Sequence, residues 1–200
     1  MRTITAIEFL SLDGITQAPG GPDEDPSGGF RHGGWTFPYF EEFTGAVMQQ
    51  QMSLDGVELL LGRVTYDIFA GYWPHHGEGW PGINEIKKYV VSHDPELPLP
   101  WRNSELITGD VVRRLQALKA DPGPDLRVWG SSNLVHTLLE HDLVDELWLK
   151  IFPVVLGAGK RLFHPTAVPA AFRLTESKVS PKGVIVANYE RAGDVQTGSF

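Results

Sequence analysis

Three groups of residues in this chain have the types and spacing to bind or move charge. The first lies in Arg127 to Leu139, RVWGSSNLVHTLL, where a short apolar run breaks at Gly130-Ser131-Ser132 before a helix-like pattern begins. A helix start presents unpaired N–H groups with partial positive charge, and small residues there let an anion approach. Gly130, Ser131, Ser132 and Asn133 fit a phosphate-cradling turn, and Ser132 or Asn133 fits equally well as a cap that needs no ligand. The second is LLLGRVTYDIF, in which Gly62 follows an apolar strand, Arg63 offers a planar donor fork and Thr65 a hydroxyl at the helix start. A surface arginine and a threonine cap are its ordinary alternative, but two strand ends that both offer anion contacts suit a dinucleotide. The third group is carboxylates. Asp13 ends the first strand and Glu41 and Glu42 open the first helix, places where turn chemistry and the helix dipole also favour acids. Trp35, Phe37, Tyr39, Phe40, Phe69, Tyr72 and Trp73 flank these positions and are suited to line a pocket for a flat ring or to fill a core.

These residues need a scaffold, and the hydrophobic pattern supplies one. Residues 3–12 (TITAIEFLSL) alternate enough to predict a strand, closed by a turn at Asp13-Gly14. Residues 17–34 are too dense in Gly, Pro and Asp for a regular element, so they form a long loop, either a cover over a site or a solvated insertion. Pro38 at a first helical position and the spacing of Phe40, Phe43, Val47 and Met48 predict a helix over 38–52. Strands follow at GVELLL, KKYVVS, SELITG, RVW and DELWLKIFPVV. Helices are predicted in GRVTYDIFAGYW, VVRRLQALKA and NLVHTLLEHD. FRLTESKVS and GVIVANYER, joined through Pro181-Lys182-Gly183, read as a closing hairpin. Strand and helix alternate and then antiparallel strands end the chain, which predicts one three-layer α/β domain over 1–200 with a mixed, mostly parallel sheet.

Composition narrows the function. The 200 residues are 42% hydrophobic with a net charge of -8, enough for one core and without the basic cluster that nucleic acid or an anionic membrane surface requires. A small-molecule partner is expected. With no cysteine, disulfides, iron–sulfur clusters and thiolate zinc sites are excluded, and the cytoplasm is the default location. No run approaches the ~20 apolar residues of a membrane span, and the N-terminus lacks the layout of a secretory signal. G-x-S-x-G is missing, LGAGKR at 156–161 lacks the first Gly and the Ser/Thr of a P-loop, and His75, His76 and Glu78 lack H-E-x-x-H spacing.

Taken together, S-L-D-G at 11–14, L-G-R-V-T-Y at 61–66 and V-W-G-S-S-N-L-V at 128–135 resemble the dihydrofolate reductase superfamily. The run Leu138 to Phe163 is similar to the reductase domain of riboflavin biosynthesis and its stand-alone relatives. The resemblance implies a dihydrofolate reductase-like fold and NADPH as cofactor. It implies that Gly62, Arg63 and Thr65 hold phosphates, that Ser92 is a second 2′-phosphate contact, and that Gly130, Ser131, Ser132, Asn133 and Leu134 form the pyrophosphate turn. A cis Gly130–Ser131 bond is implied as well. Asp13 and Gly14 resemble the start of the loop over the nicotinamide, and Trp35-Thr36-Phe37-Pro38 the approach to the substrate helix, which places Phe40 at the superfamily's carboxylate position and Glu41 one residue later. The expectation is hydride transfer to a small heterocyclic or carbonyl substrate, as in 5-amino-6-(5-phosphoribosylamino)uracil reductase. Asp13 or Glu41 would order a water for proton delivery, and Gly14, Trp35, Phe40 and Phe69 would lie on the substrate side. No basic set for a ribityl phosphate is present, which implies a changed substrate. A homodimer with DELWLKIF near its interface is also implied. The alternatives are a non-catalytic NADP(H)-binding regulatory dimer and a flavin- or deazaflavin-dependent reductase on the same scaffold.

Overall fold

The computed structural model describes residues 1–164 and 167–199. Eight strands form a single sheet in the order β4-β3-β2-β5-β1-β6-β8-β7. They are β1 (Ile4–Ser11), β2 (Val57–Gly62), β3 (Lys88–Val91), β4 (Ser104–Ile107), β5 (Asp125–Trp129), β6 (Glu146–Phe152), β7 (Phe172–Val179) and β8 (Ile185–Arg191). All pairings from β4 across to β6 are parallel, and β6–β8 and β8–β7 are antiparallel. The four helices are α1 (Glu42–Gln51), α2 (Arg63–Tyr72), α3 (Val111–Ala120) and α4 (Ser132–Glu140).

Strand alternation sorts the core into two layers, because successive side chains point to opposite faces. On one face Ile4, Ala6, Leu60, Leu126, Val128, Leu147 and Leu149 pack with Leu115 of α3 and with Leu134, Val135 and Leu138 of α4. On the other, Ile7, Leu59, Leu61, Val90 and Trp129 pack with Tyr66 and Phe69 of α2 and Met48 of α1. The expected layers, mixed sheet and hairpin are all present. The expected helix over 38–52 is shorter. Phe37–Tyr39 form a 3-10 turn, and α1 begins at Glu42 because Glu41 caps it: its side chain accepts from the Thr44 backbone while the Thr44 hydroxyl accepts from the Glu41 N–H at 2.8 Å.

The direction in which each helix leaves the sheet creates the site. Adjacent strands β2 and β5 run parallel, yet α2 turns to one face and α4 to the other. Chain leaving neighbouring carboxyl ends in opposite directions opens a crevice there, the topological switch point of an open α/β sheet. Among the described residues, no helix is long and apolar enough to cross a membrane.

Candidate active site

A cleft of about 1150 Å³ occupies that crevice, and the two helix starts form its floor. Gly62 and Ser131 are the N-caps of α2 and α4, and neither helix has a side-chain cap. Their first-turn N–H groups therefore meet the cleft with the partial positive charge of a helix start.

The turn after β5 is unusual. Gly130 (φ 62°) and Ser131 (φ 69°, ψ 66°) are consecutive left-handed residues, a conformation that costs a non-glycine residue such as Ser131 about 1–2 kcal/mol. Contacts to the other helix start hold it in place. The Ser131 hydroxyl accepts from the Gly62 N–H at 2.9 Å and lies 2.6 Å from the Thr65 hydroxyl. Gly62 itself has an ordinary extended backbone (φ -76°, ψ 158°); what it lacks is room, since a Cβ there would come within 2.6 Å of Ser131 Oγ. Ser132 and Thr16 hydroxyls, 2.9 Å apart, tie α4 to the segment following β1. No cis peptide bond occurs among the described residues, so the expected cis Gly130–Ser131 bond is absent, and the two left-handed residues turn the chain.

Every residue expected at the cofactor lines this cleft: Gly62, Arg63, Thr65, Ser92, Gly130, Ser131, Ser132, Asn133 and Leu134. Arg63 is half exposed and pairs with Asp67 one helical turn on, at 2.7 Å. Ser92 Oγ accepts from the Asp94 N–H at 3.0 Å. The first part of the loop over 17–34 borders the cleft, and residues 26–34 lie outside its lining. Ala18, Pro19, Glu24 and Asp25 line the cleft, Gln17 Nε2 donates to the Asp25 and Ser27 carbonyls, and Lys160 pairs with Asp25 at 2.6 Å.

The expected catalytic and substrate residues are placed differently. Asp13 lies outside the cleft lining and pins a turn: Oδ1 accepts from the Ser11 hydroxyl at 2.7 Å and the Leu156 N–H at 3.1 Å, and Oδ2 from the Gly157 N–H at 2.8 Å. Burial acts to raise its carboxyl, but these hydrogen bonds prevail and hold it below the ordinary value. Asp13→Ala should therefore cost about 1–3 kcal/mol of stability, typical of orphaned backbone donors, seen as a lower melting temperature, and leave the affinity for the expected cofactor NADPH within about twofold. A large loss of affinity at unchanged stability in a thermal melt and titration would return Asp13 to the site. Glu41 also lies outside the lining, capping α1 and accepting from the Lys182 N–H at 3.2 Å. Of the expected substrate residues only Phe69 lines the cleft. Gly14 makes the turn beside Asp13. Trp35 is buried against Phe152 with its indole N–H donating to the Gln17 carbonyl at 2.8 Å, and Phe40 is 40% exposed.

Among the carboxyls that line the cleft, Glu8 is the deeply buried one, and it belongs to none of the sequence motifs. It sits in the middle of β1, 2% exposed, and its Oε1 has no hydrogen-bond partner. Burial pushes it up to about 8 against the pull of the Lys150 charge. Lys150, on β6, is drawn down to about 7 by burial against the pull of Glu8. Its ammonium donates to Gln51 Oε1 and lies 4.7 Å from the Phe9 ring centre. A lone carboxylate in a strand that is otherwise apolar and buried was the available signal, because Glu is almost never fully buried without a partner.

Comparison with known proteins agrees with this geometry. The profile of the RibD C-terminal domain matches residues 2–186. This chain belongs to that family. The uncharacterized protein YyaP of Bacillus subtilis (strain 168) is 30% identical over 142 residues, 68% of this chain and 74% of that protein. A crystal structure from Shewanella sp. PV-4, named for riboflavin biosynthesis, superposes with a TM-score of 0.67 at 23% identity, over 95% of this chain and 99% of its own. Dihydrofolate reductase from Enterococcus faecalis, solved with NADP(H), superposes with a TM-score of 0.61 at 12% identity, over 94% and 96%. The fold is dihydrofolate reductase-like, and the family and its fold neighbours point to reductases. The residues present fit a dinucleotide: two uncapped helix starts converge, and Ser131 packs so close to Gly62 that a Cβ there would clash with it.

Proposed function

We propose that this protein is an NADPH-dependent reductase that delivers hydride to a small planar heterocycle or a carbonyl-type carbon. The convergence of the α2 and α4 starts on one cleft carries the reading, because two adjacent strand ends with free N–H groups suit a diphosphate between two nucleosides. Bound there, the reduced nicotinamide supplies the hydride. The chain supplies position: Gly130 to Leu134 seat the pyrophosphate, Arg63 and Ser92 face the adenosine 2′-phosphate, and the 17–25 segment with Phe69 shields the reacting end from water. The cleft lining holds six carboxylic acids, Glu8, Glu24, Asp25, Asp94, Asp110 and Glu140. Its two permanent cations, Arg63 and Lys160, are both ion-paired. With Arg63 assigned to the cofactor and Lys160 held by Asp25, the lining has no further permanent cation for a substrate phosphate, which supports a neutral or cationic substrate.

Titration with NADPH should quench tryptophan fluorescence, and at 100 times the dissociation constant it should add about 2.7 kcal/mol to stability in a thermal melt. Absence of both effects would overturn the reading, and co-purification of a flavin or deazaflavin would move it to that cofactor. Arg63→Ala should weaken NADPH about tenfold and NADH far less, the size of a solvent-facing charge-assisted hydrogen bond to the one phosphate that distinguishes them. Equal weakening in parallel titrations would remove Arg63 from that role. The proposal includes a homodimer, to be read from elution mass. The DELWLKIF strand expected near its interface lies between β1 and β8, with Leu147, Leu149, Lys150 and Phe152 buried within the single chain.

A further inference from the structure

We propose that Glu8 is the proton donor of this reaction, a carboxylic acid held at the reacting end of the cleft and aimed at the substrate heteroatom. The inference rests on the reductase reading above and adds the missing half of the reduction. When a C=N or C=O carbon takes the hydride, the electron pair of its π bond moves to the heteroatom, and that atom needs a proton. Asp13 and Glu41 do not line the cleft, and their carboxylates are committed to backbone N–H groups. Glu8 lines it, is buried, and has an oxygen with nothing to bond to. A buried polar atom without a partner is costly, and one that faces a cleft is satisfied when a ligand arrives. A second such atom belongs to the same lining: the indole Nε1 of Trp129, at the end of the neighbouring strand β5. Strand alternation puts Glu8 on the α4 face of the sheet and Trp129 on the α2 face, so the two reach the crevice from opposite sides, and Glu8 alone is assigned the proton.

The surrounding charges suit this role. Lys150 on β6 is the charged group coupled to Glu8, and it favours the carboxylate left after proton transfer. From the covering segment come Glu24, which accepts from the Gly20 and Gly21 N–H groups, and the Asp25–Lys160 pair. From α4 and just beyond come Glu140 and His141. In the resting protein the carboxyl keeps its proton at neutral pH because burial penalises the charged form. Protons return from solvent after each turnover.

The test uses the two cofactor forms, which differ by one positive charge on the ring that Glu8 is proposed to face. In the wild-type protein the affinity for NADP⁺ relative to NADPH should rise between pH 6 and 9, by roughly tenfold for each unit that the cationic ring lowers the Glu8 pKa. In Glu8→Gln the ratio should not change with pH. Calorimetry of the unaltered protein in two buffers of different ionisation enthalpy provides a measurement that needs no variant: NADP⁺ binding at pH 7 should release protons and NADPH binding should not. If both forms bind with a pH-independent ratio and equal proton counts, Glu8 does not face the reacting ring and the inference falls while the reductase reading stands. If neither form binds, both fall.

Discussion

Gly62→Ala should abolish tight NADPH binding, raising the dissociation constant a hundredfold or more, while the protein still folds. The backbone at Gly62 is extended and accepts any residue, so the effect is one of space alone. An added Cβ would stand 2.6 Å from Ser131 Oγ and 2.8 Å from Ser131 Cβ. Ser131 has little freedom to retreat, because its left-handed backbone is fixed by the hydroxyl's bonds to the Gly62 N–H and Thr65. Overpacking of this kind costs about 1–3 kcal/mol, and here the movement is forced into the turn proposed to seat the pyrophosphate. The physical cause can be separated from general damage. Adding Ser131→Gly removes both atoms that clash, and glycine adopts the left-handed conformation without penalty. Leu134 Cβ, at 3.6 Å, is then an ordinary neighbour. The double variant should recover most of the affinity lost by Gly62→Ala in a fluorescence titration. Failure to recover any would mean that the cleft is not closed by this contact.

The second large effect is a pH dependence of stability centred on Glu8 and Lys150. Glu8 titrates near 8 in the folded chain and near 4.5 when exposed, so between these values the native state keeps a proton that the unfolded chain has lost. Its contribution is present in full below about pH 4.5 and is lost as pH rises through 8. Lys150 runs the other way. Its folded value near 7 lies below the ordinary 10.5, so its contribution is present above pH 10.5 and is lost as pH falls through 7. The two together place the least favourable point of the pair between pH 7 and 8. Urea denaturation of Glu8→Gln should therefore show a stability difference from wild type that shifts in favour of the variant by a few kcal/mol between pH 5 and 8. Parallel curves across that range would show that the carboxyl is not held protonated. Lys150→Met should remove the rise above pH 7 and leave the acid side intact.

Much of the framework was legible because its signals are local. Alternation in ITAIEFLS, VELLL and ELWLKIF marks buried strands. The breaks at Gly62 and Gly130 mark strand ends, and Pro181-Lys182-Gly183 joins the closing pair. The two glycine turns at the strand ends were legible for the same reason: a glycine between an apolar run and a helix start is a feature of a few consecutive residues. α1 starts four residues after Pro38, since Pro38 is equally at home in the 3-10 turn that precedes a capped helix.

The carboxylates show where local reading ends. Asp13 and Glu41 stand in positions where acids serve either chemistry or backbone capping, and only the fold shows that Leu156, Gly157, Thr44 and Lys182 supply the N–H groups that claim them. Glu8 was visible as an acid inside an apolar strand, but its neighbours in space come from β5, β6 and the segment after β1, more than a hundred residues away in two of the three cases. Propensity and spacing within a few residues are enough to specify the elements, their order and the two anion-friendly helix starts. That α2 and α4 leave the sheet on opposite faces, that their starts meet across Gly62 and Ser131, and that Glu8 is the acid buried at the cleft follow only from folding, because burial and hydrogen-bond partnership depend on residues distant in the chain.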